Sequence, residues 1–337
     1  MRGKGINYDT GFFPGGVCSR EQFDTDVVRR EMRVIADDLR CTAVRISGGD
    51  PARLSVAAEL AAAAGLEVWF APFPCELAAA DLAPLFAECA DRAEHLRRSG
   101  AAVVLVCGCE LSLFGSGFLP GGTVYERIAG LRAGGEQLHR AFGALPGKLN
   151  GFLAATAEDA RGRFGGPLSY ASGMWEPVDW TPFDVAGVDA YRDAGNADRF
   201  GLELRQHLRH GKPLAITEFG CCGYAGAAGR GGLGWAILDT SAEPPVLDGD
   251  YVRDEHEQVT YLRELTEIFE AEGVDLAFWF TFAGYKFVPG TGSRRDLDLA
   301  SYGVVKMVPG GPGAGALFCA LSRSPPRYRP APRCPLG

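Results

Sequence analysis

Short apolar segments alternate with longer amphipathic ones along the whole chain, and that alternation restricts the fold more than any other feature. Residues 4–8, 41–46, 67–73, 102–106, 168–172, 184–189, 213–217 and 274–282 read as strands. Residues 21–39, 51–64, 77–98, 123–142, 149–164, 197–209 and 255–272 read as helices between them. In the first helix Val27, Val28, Met32, Val34, Ile35 and Leu39 form one stripe. Gly65 stops the second, and a final amphipathic stretch near 314–321 is expected to close the last repeat.

Strands that are apolar on both faces and separated by helices imply a parallel sheet covered by helices. Eight such repeats predict an α/β fold of the (β/α)₈ TIM-barrel type, a single domain with long βα loops. The boundaries expected are 1–322 for the barrel and 323–337 for a Pro-rich C-terminal tail. An open doubly wound sheet is the alternative. It would carry a Gly-rich phosphate turn after strand one, whereas this chain reads Tyr8-Asp9-Thr10-Gly11-Phe12-Phe13-Pro14 there. A length of 337 residues would suit two ordinary domains but also suits one barrel.

Composition removes several classes. With 47% hydrophobic and 23% charged residues the chain is neither disordered nor fibrous, and its 46 glycines call for many tight loops. Subtracting 42 acidic from 34 basic residues leaves −8. No basic stripe is present, which argues against nucleic acid as a partner. No apolar run is long enough to span a bilayer. The start, Met1-Arg2-Gly3-Lys4-Gly5, lacks a secretion signal, so a cytoplasmic protein is expected. Ten cysteines, at 18, 41, 75, 89, 107, 109, 221, 222, 319 and 334, form no CxxC pair and read as free, mostly buried thiols.

Barrel active sites sit at the C-terminal ends of the strands, so polar residues where apolar runs stop are the candidates. These are Asn7, Tyr8 and Asp9; Arg45 and Asp50; Glu76; Cys109 and Glu110; Asp189 and Tyr191; Glu218; and Trp279. Glu110 closes strand four and Glu218 closes strand seven. The two lie across an eight-strand ring, where side chains from both can converge. Glycosidic bond cleavage needs one carboxyl to protonate the leaving oxygen and another to meet the oxocarbenium-like centre. Their environments must then separate the two proton affinities.

On Glu110, Glu218 within Ile-Thr-Glu-Phe-Gly, Arg45, Tyr191 and Trp279, the chain resembles the retaining glycoside hydrolases of the large clan with catalytic glutamates on strands four and seven. It also looks like an uncharacterised actinobacterial family carried under an abortive-infection label. The clan resemblance covers roughly residues 3–320. It implies Glu110 as acid/base, Glu218 as nucleophile, Arg45 and Tyr191 as partners of the nucleophile, and Trp279 as a sugar-stacking platform. Cys109, Asp189, Tyr8 and Glu76 complete the expected substrate-binding set, with a carbohydrate or small molecule as substrate. No cofactor or metal is required by this chemistry. The clan usually has Asn directly before the strand-four Glu, and this chain has Cys109. Either the substrate differs at that point or the barrel runs other chemistry.

Two alternatives stay open. One is a biosynthetic barrel in which both glutamates shuttle protons on a small polar metabolite. The other is a non-catalytic barrel in binding or phage defence. Cys107, Cys109, Cys221 and Cys222 flank the two glutamates and raise zinc as an idea. Cys107 and Cys109 are expected on one side of the strand while Cys221 and Cys222 diverge, so buried thiols are the preferred reading. The five histidines, 95, 139, 207, 210 and 256, fall in helical segments and are expected to face solvent. Gly229 to Gly234 matches GxGxxG but neither follows a strand nor opens a helix, which argues against a dinucleotide site. The long 221–254 loop, with a small hairpin, and the 111–122 loop, with Phe114, Phe118 and Leu119, are candidate lids.

Overall fold

The computed structural model describes residues 1–292, 294–308 and 317–320. Eight parallel strands close into a barrel: β1 Gly3–Asp9, β2 Ala43–Gly48, β3 Glu67–Pro72, β4 Val103–Cys109, β5 Leu168–Gly173, β6 Ala186–Asp189, β7 Leu214–Phe219 and β8 Leu276–Trp279. β1 pairs with both β2 and β8, which shuts the ring. The expected (β/α)₈ barrel is the observed fold.

Helices α1 Thr25–Arg33, α2 Pro51–Ala63, α3 Ala79–Arg98, α4 Val124–Ala133, α5 Glu136–Arg163, α6 Phe200–Leu208 and α7 Glu255–Glu272 lie between strands. The side chains of Asp24, Asp50, Thr123 and Asp254 cap α1, α2, α4 and α7 by accepting first-turn N–H groups. Residues 174–185 join β5 to β6 without a helix. Three expectations shift. The first helix begins at its Asp24 cap and passes into a π turn over Val34–Asp38. The break between the fourth and fifth helices falls at Gly134 and Gly135, whose φ values of 69° and 105° end one helix and admit the next. Pro146 lies within α5.

The stretch expected near 314–321 closes no repeat as a helix. Leu317–Ala320 instead pairs antiparallel with Val305–Val308. The Pro-rich tail at 323–337 lies outside the described residues. The small hairpin is present, with Leu238–Asp239 against Val246–Leu247.

Alternation along each strand sorts side chains into two layers. Ile6, Tyr8, Val44, Ile46, Val68 and Phe70 face the helices, while Ala43, Trp69, Ala71, Val104, Val106, Ala215, Leu276 and Phe278 fill the inside. Trp69 and Phe278 meet edge-to-face at 5.0 Å. Gly5 makes room for them: a Cβ there would lie 2.4 Å from the Phe278 ring. Register shifts interrupt the ladders at the ends of β4 and β7, where each strand carries one residue more than its neighbours. Bulges re-aim side chains, and these two stand where the polar residues gather.

The eight cysteines whose side chains are described are free thiols, five of them buried. Cys107 and Cys109 do not share a face. Gly108, at φ 109°, and the β4 bulge turn Cys107 toward the helices and Cys109 into the barrel. No helix among the described residues is long and apolar enough to cross a membrane.

Candidate active site

Glu218 stands at the C-terminal end of β7 with only 12% of its side chain exposed. Its Oε1 accepts from Arg45 Nη1 at 2.6 Å and its Oε2 from the Tyr191 hydroxyl at 3.1 Å. Arg45 projects from β2 and is wholly buried. The same Nη1 donates to Asn7 Oδ1 at 2.8 Å, and Asn7 Nδ2 donates to the Thr217 carbonyl at 2.9 Å. Residues from β1, β2 and β7, with Tyr191 from just beyond β6, therefore fix one carboxylate across the barrel mouth.

Cys109 and Asp189 complete this side. The Cys109 thiol lies 3.4 Å from Asp189 Oδ2 and 3.8 Å from Glu218 Oε1. The Thr217 hydroxyl lies beside Asp189 and favours its charged form, yet the geometry leaves Thr217 Oγ1 and Asp189 Oδ1 without a formed hydrogen bond. Arg45 Nε and Nη2 are also buried and unpartnered. Buried polar atoms are ordinarily satisfied, so a cluster of exceptions marks a place built for something other than packing.

Glu110 follows β4 in a left-handed conformation, φ 39° and ψ 49°. A non-glycine residue there costs on the order of 1–2 kcal/mol and needs support from its surroundings. The support is visible. Glu110 N–H donates to the Ala171 carbonyl at 2.8 Å, and Leu111 N–H donates to the Tyr170 hydroxyl at 2.7 Å. Buried Glu176 accepts from Ser112 N–H at 2.9 Å and from Tyr170 at 2.9 Å.

Burial pushes the Glu110 carboxyl well above the usual carboxylate range, and the nearby Asp189, Glu218 and Glu176 push it further against the pull of Arg45. Burial and then Glu218 raise Asp189 in the same direction. The Cys109 thiol is raised by burial and then by Asp189. Tyr191 keeps its proton for the same reasons, burial first and Glu218 second. One guanidinium thus serves several acids. Glu218 is paired with it directly, while burial and neighbouring acids raise the proton affinity of Glu110.

Cys109 Sγ and carboxylate oxygens of Asp189 and Glu218 lie within 4.8 Å of one another, a spacing that could hold a metal ion. Arg45 already places a positive charge on Glu218 at 2.6 Å, and a cation in that gap would meet its repulsion. This trio differs from the cysteine set that the sequence suggested.

Of the expected site residues, the structure brings together Glu110, Glu218, Arg45, Cys109, Asp189 and Tyr191. Three lie elsewhere. Tyr8 points outward from β1, where its hydroxyl pairs with Glu31 and accepts from Arg20 Nη1 at 2.8 Å. Trp279 also faces the helices. It is 5% exposed, packs against Phe219 at 5.3 Å, and donates its indole N–H to the Tyr302 carbonyl at 3.0 Å. Glu76 accepts from Gly15 and Val124 N–H groups, both at 3.0 Å, and so ties loops together. Phe118 and Leu119 are buried in the outer core, leaving Phe114 from that loop at the mouth. His207 is half-buried, and the other four histidines are exposed. Sequence reasoning named Asn7 only as a strand-end polar residue, without a role, and missed Thr217, Tyr302 and Glu176. Asn7 was legible, because Gly5 and Asn7 alternate with the apolar Ile6 on β1.

Similar proteins bear on the fold. No family model matches the chain, and no curated protein matches it. Solved structures do. A GH113 beta-1,4-mannanase aligns over 90% of this chain and 94% of its own, with a TM-score of 0.59 and 13% identity. A beta-glucuronidase from an uncultured Clostridium covers 91% of this chain and 47% of its own at TM-score 0.54 and 13% identity. Cel5A of Thermotoga maritima covers 90% and 97% at TM-score 0.52 and 12% identity. The chain therefore has the barrel fold found in several glycoside hydrolases.

Proposed function

We propose that the protein cleaves or transfers a glycosidic C–O bond by a two-carboxylate retaining mechanism, with Glu110 as acid/base and Glu218 as nucleophile. The observation that carries this reading is the asymmetry between the two glutamates. Glu218 is clasped by Arg45 and Tyr191, while Glu110 has no guanidinium of its own and sits where burial and neighbouring acids favour its protonated form. That is the division of labour the chemistry demands. The clan resemblance agrees with this reading, and the barrel shared with glycoside hydrolases supplies a scaffold suited to it.

In the first step the Glu110 O–H proton moves to the leaving oxygen as the C–O bond breaks, and Glu218 Oε2 or Oε1 bonds to the anomeric carbon. In the second, Glu110 takes a proton from water or another hydroxyl. The resulting oxygen attacks the anomeric carbon and Glu218 leaves with its electron pair. Tyr191 and Arg45 orient Glu218 throughout and receive its charge back at the end. Asp189, beside the thiol that stands in place of the clan's Asn, takes over hydrogen bonding to the sugar where Cys109 is a poor partner.

A mechanism-based 2-deoxy-2-fluoro glycosyl fluoride panel tests the assignment. Covalent mass addition on a peptide containing Glu218 is expected. Unlabelled protein across mannose, glucose, galactose and glucuronic acid configurations would favour proton-shuttle chemistry without a glycosyl intermediate.

A further inference from the structure

The loops above the barrel meet across its mouth. Residues 220–254 lead from β7 to α7. Gly232 of this stretch lies against Tyr191, with a Cβ there falling 3.3 Å from the ring. The Tyr302 hydroxyl holds the loop by donating to the Gly231 carbonyl at 2.7 Å and accepting from Gly234 N–H at 2.8 Å. Gly231, at φ 53°, allows the bend. Glu257 on α7 anchors the loop's near end through the N–H groups of Gly226 and Ala228, at 2.7 and 2.8 Å.

From Tyr302 the loop reaches Trp235, which meets Tyr125 edge-on with ring centroids 6.3 Å apart. Tyr125 belongs to α4, on the β4 side of the ring. Gly15 of the β1 loop packs against Tyr125, where a Cβ would come within 2.9 Å. Glu76 fastens Gly15 and Val124 to the β3 loop. Loops after β1, β3, β4 and β7 are thus joined in one bridge. Phe12, Phe73 and Phe114 add a wall of rings, with centroids 4.9 and 4.6 Å apart.

We propose that this bridge makes the active site a blind pocket for a single terminal glycosyl unit, so that the substrates are small glycosides or chain ends. The proposal rests on the glycosidase reading above. A chain bound through internal units needs openings on both sides of the scissile bond. Here the Trp235–Tyr125 contact joins the β7 and β4 sides, which are the two that supply Glu218 and Glu110. The low exposure of Glu218 agrees with a narrow entrance.

The test uses the full chain with p-nitrophenyl monoglycosides of mannose, glucose, galactose and glucuronic acid, and with mannotetraose and cellotetraose, following product lengths over time. Wild type is expected to hydrolyse an aryl monoglycoside and to release monosaccharide first from a tetraose. Trp235→Ala and Tyr125→Ala are each expected to raise kcat/KM for the tetraose at least ten-fold relative to the aryl glycoside, with disaccharide appearing among the first products. Mid-chain products from wild type, or an unchanged ratio in both variants, would overturn the blind pocket and leave the glycosidase reading standing. The two readings fall together if no sugar is turned over and the Glu218→Gln protein binds none of the corresponding iminosugars by calorimetry.

Discussion

Two buried arginines in this molecule each meet a carboxylate that a tyrosine also touches, and they lie on opposite faces of the barrel wall. Outside, Arg20 Nη2 faces Glu31 Oε2 at 3.1 Å, and the Tyr8 and Tyr285 hydroxyls meet the same carboxylate. Inside, Arg45, Glu218 and Tyr191 repeat the pattern. The difference lies in what surrounds each. Around Arg20 the rings of Tyr285, Tyr8 and Phe23 close in at 4.0, 5.2 and 5.4 Å. Around Arg45 stand further acids and a thiol. A paired arginine and carboxylate alone therefore says little about function; extra acids crowded at a strand end say more.

Matched substitutions sharpen that contrast. The largest effect is expected for Glu218→Gln, with kcat falling by about 10⁴-fold, roughly 5 kcal/mol of barrier, while the urea midpoint stays near wild type. Glu31→Gln should do the reverse. It leaves Arg20 buried without its counter-charge, at a cost of about 3–5 kcal/mol in unfolding free energy, and the folded fraction should keep wild-type turnover. Equal activity losses in both variants would erase the distinction.

Next comes Glu110→Gln, expected to lower kcat by about 10²–10⁴-fold on poor leaving groups and far less on aryl glycosides that need no protonation. The sign of the pH profile follows from the raised Glu110. In the proposed mechanism the bond-breaking step requires its protonated form, so kcat should fall as pH rises through that raised value, and this alkaline limb should vanish in the variant. The smallest effects separate the tyrosines. Tyr191→Phe should lower kcat about ten-fold by freeing one side of Glu218. Tyr8→Phe should cost about 1 kcal/mol of stability with kcat unchanged in a steady-state assay.

Much of this was legible in the sequence. The periods of the apolar residues located all eight strands, and strand ends supplied Glu110, Glu218, Arg45, Asp189 and Tyr191. Which way a side chain points was harder to read. Tyr8 and Trp279 sit at strand ends yet face the helices, as the alternation from Gly5 and Phe278 requires. Cys107 and Cys109 were misread for another reason. A bulge at Gly108 breaks the two-residue period, and bulges depend on pairing partners far along the chain. The left-handed Glu110 was equally hidden, because Tyr170 and Glu176 hold it from sixty residues away. Glu76 was placed at the right end of its strand, but nothing local showed that two loops would converge on its carboxylate.

The packing of Trp69 against Phe278, with Gly5 yielding space, fills the inside of the barrel with rings. In the proposed glycosidase, a floor packed this way would leave sugar, aglycone, water and product one shared way in and out, at the strand ends that carry the glutamates.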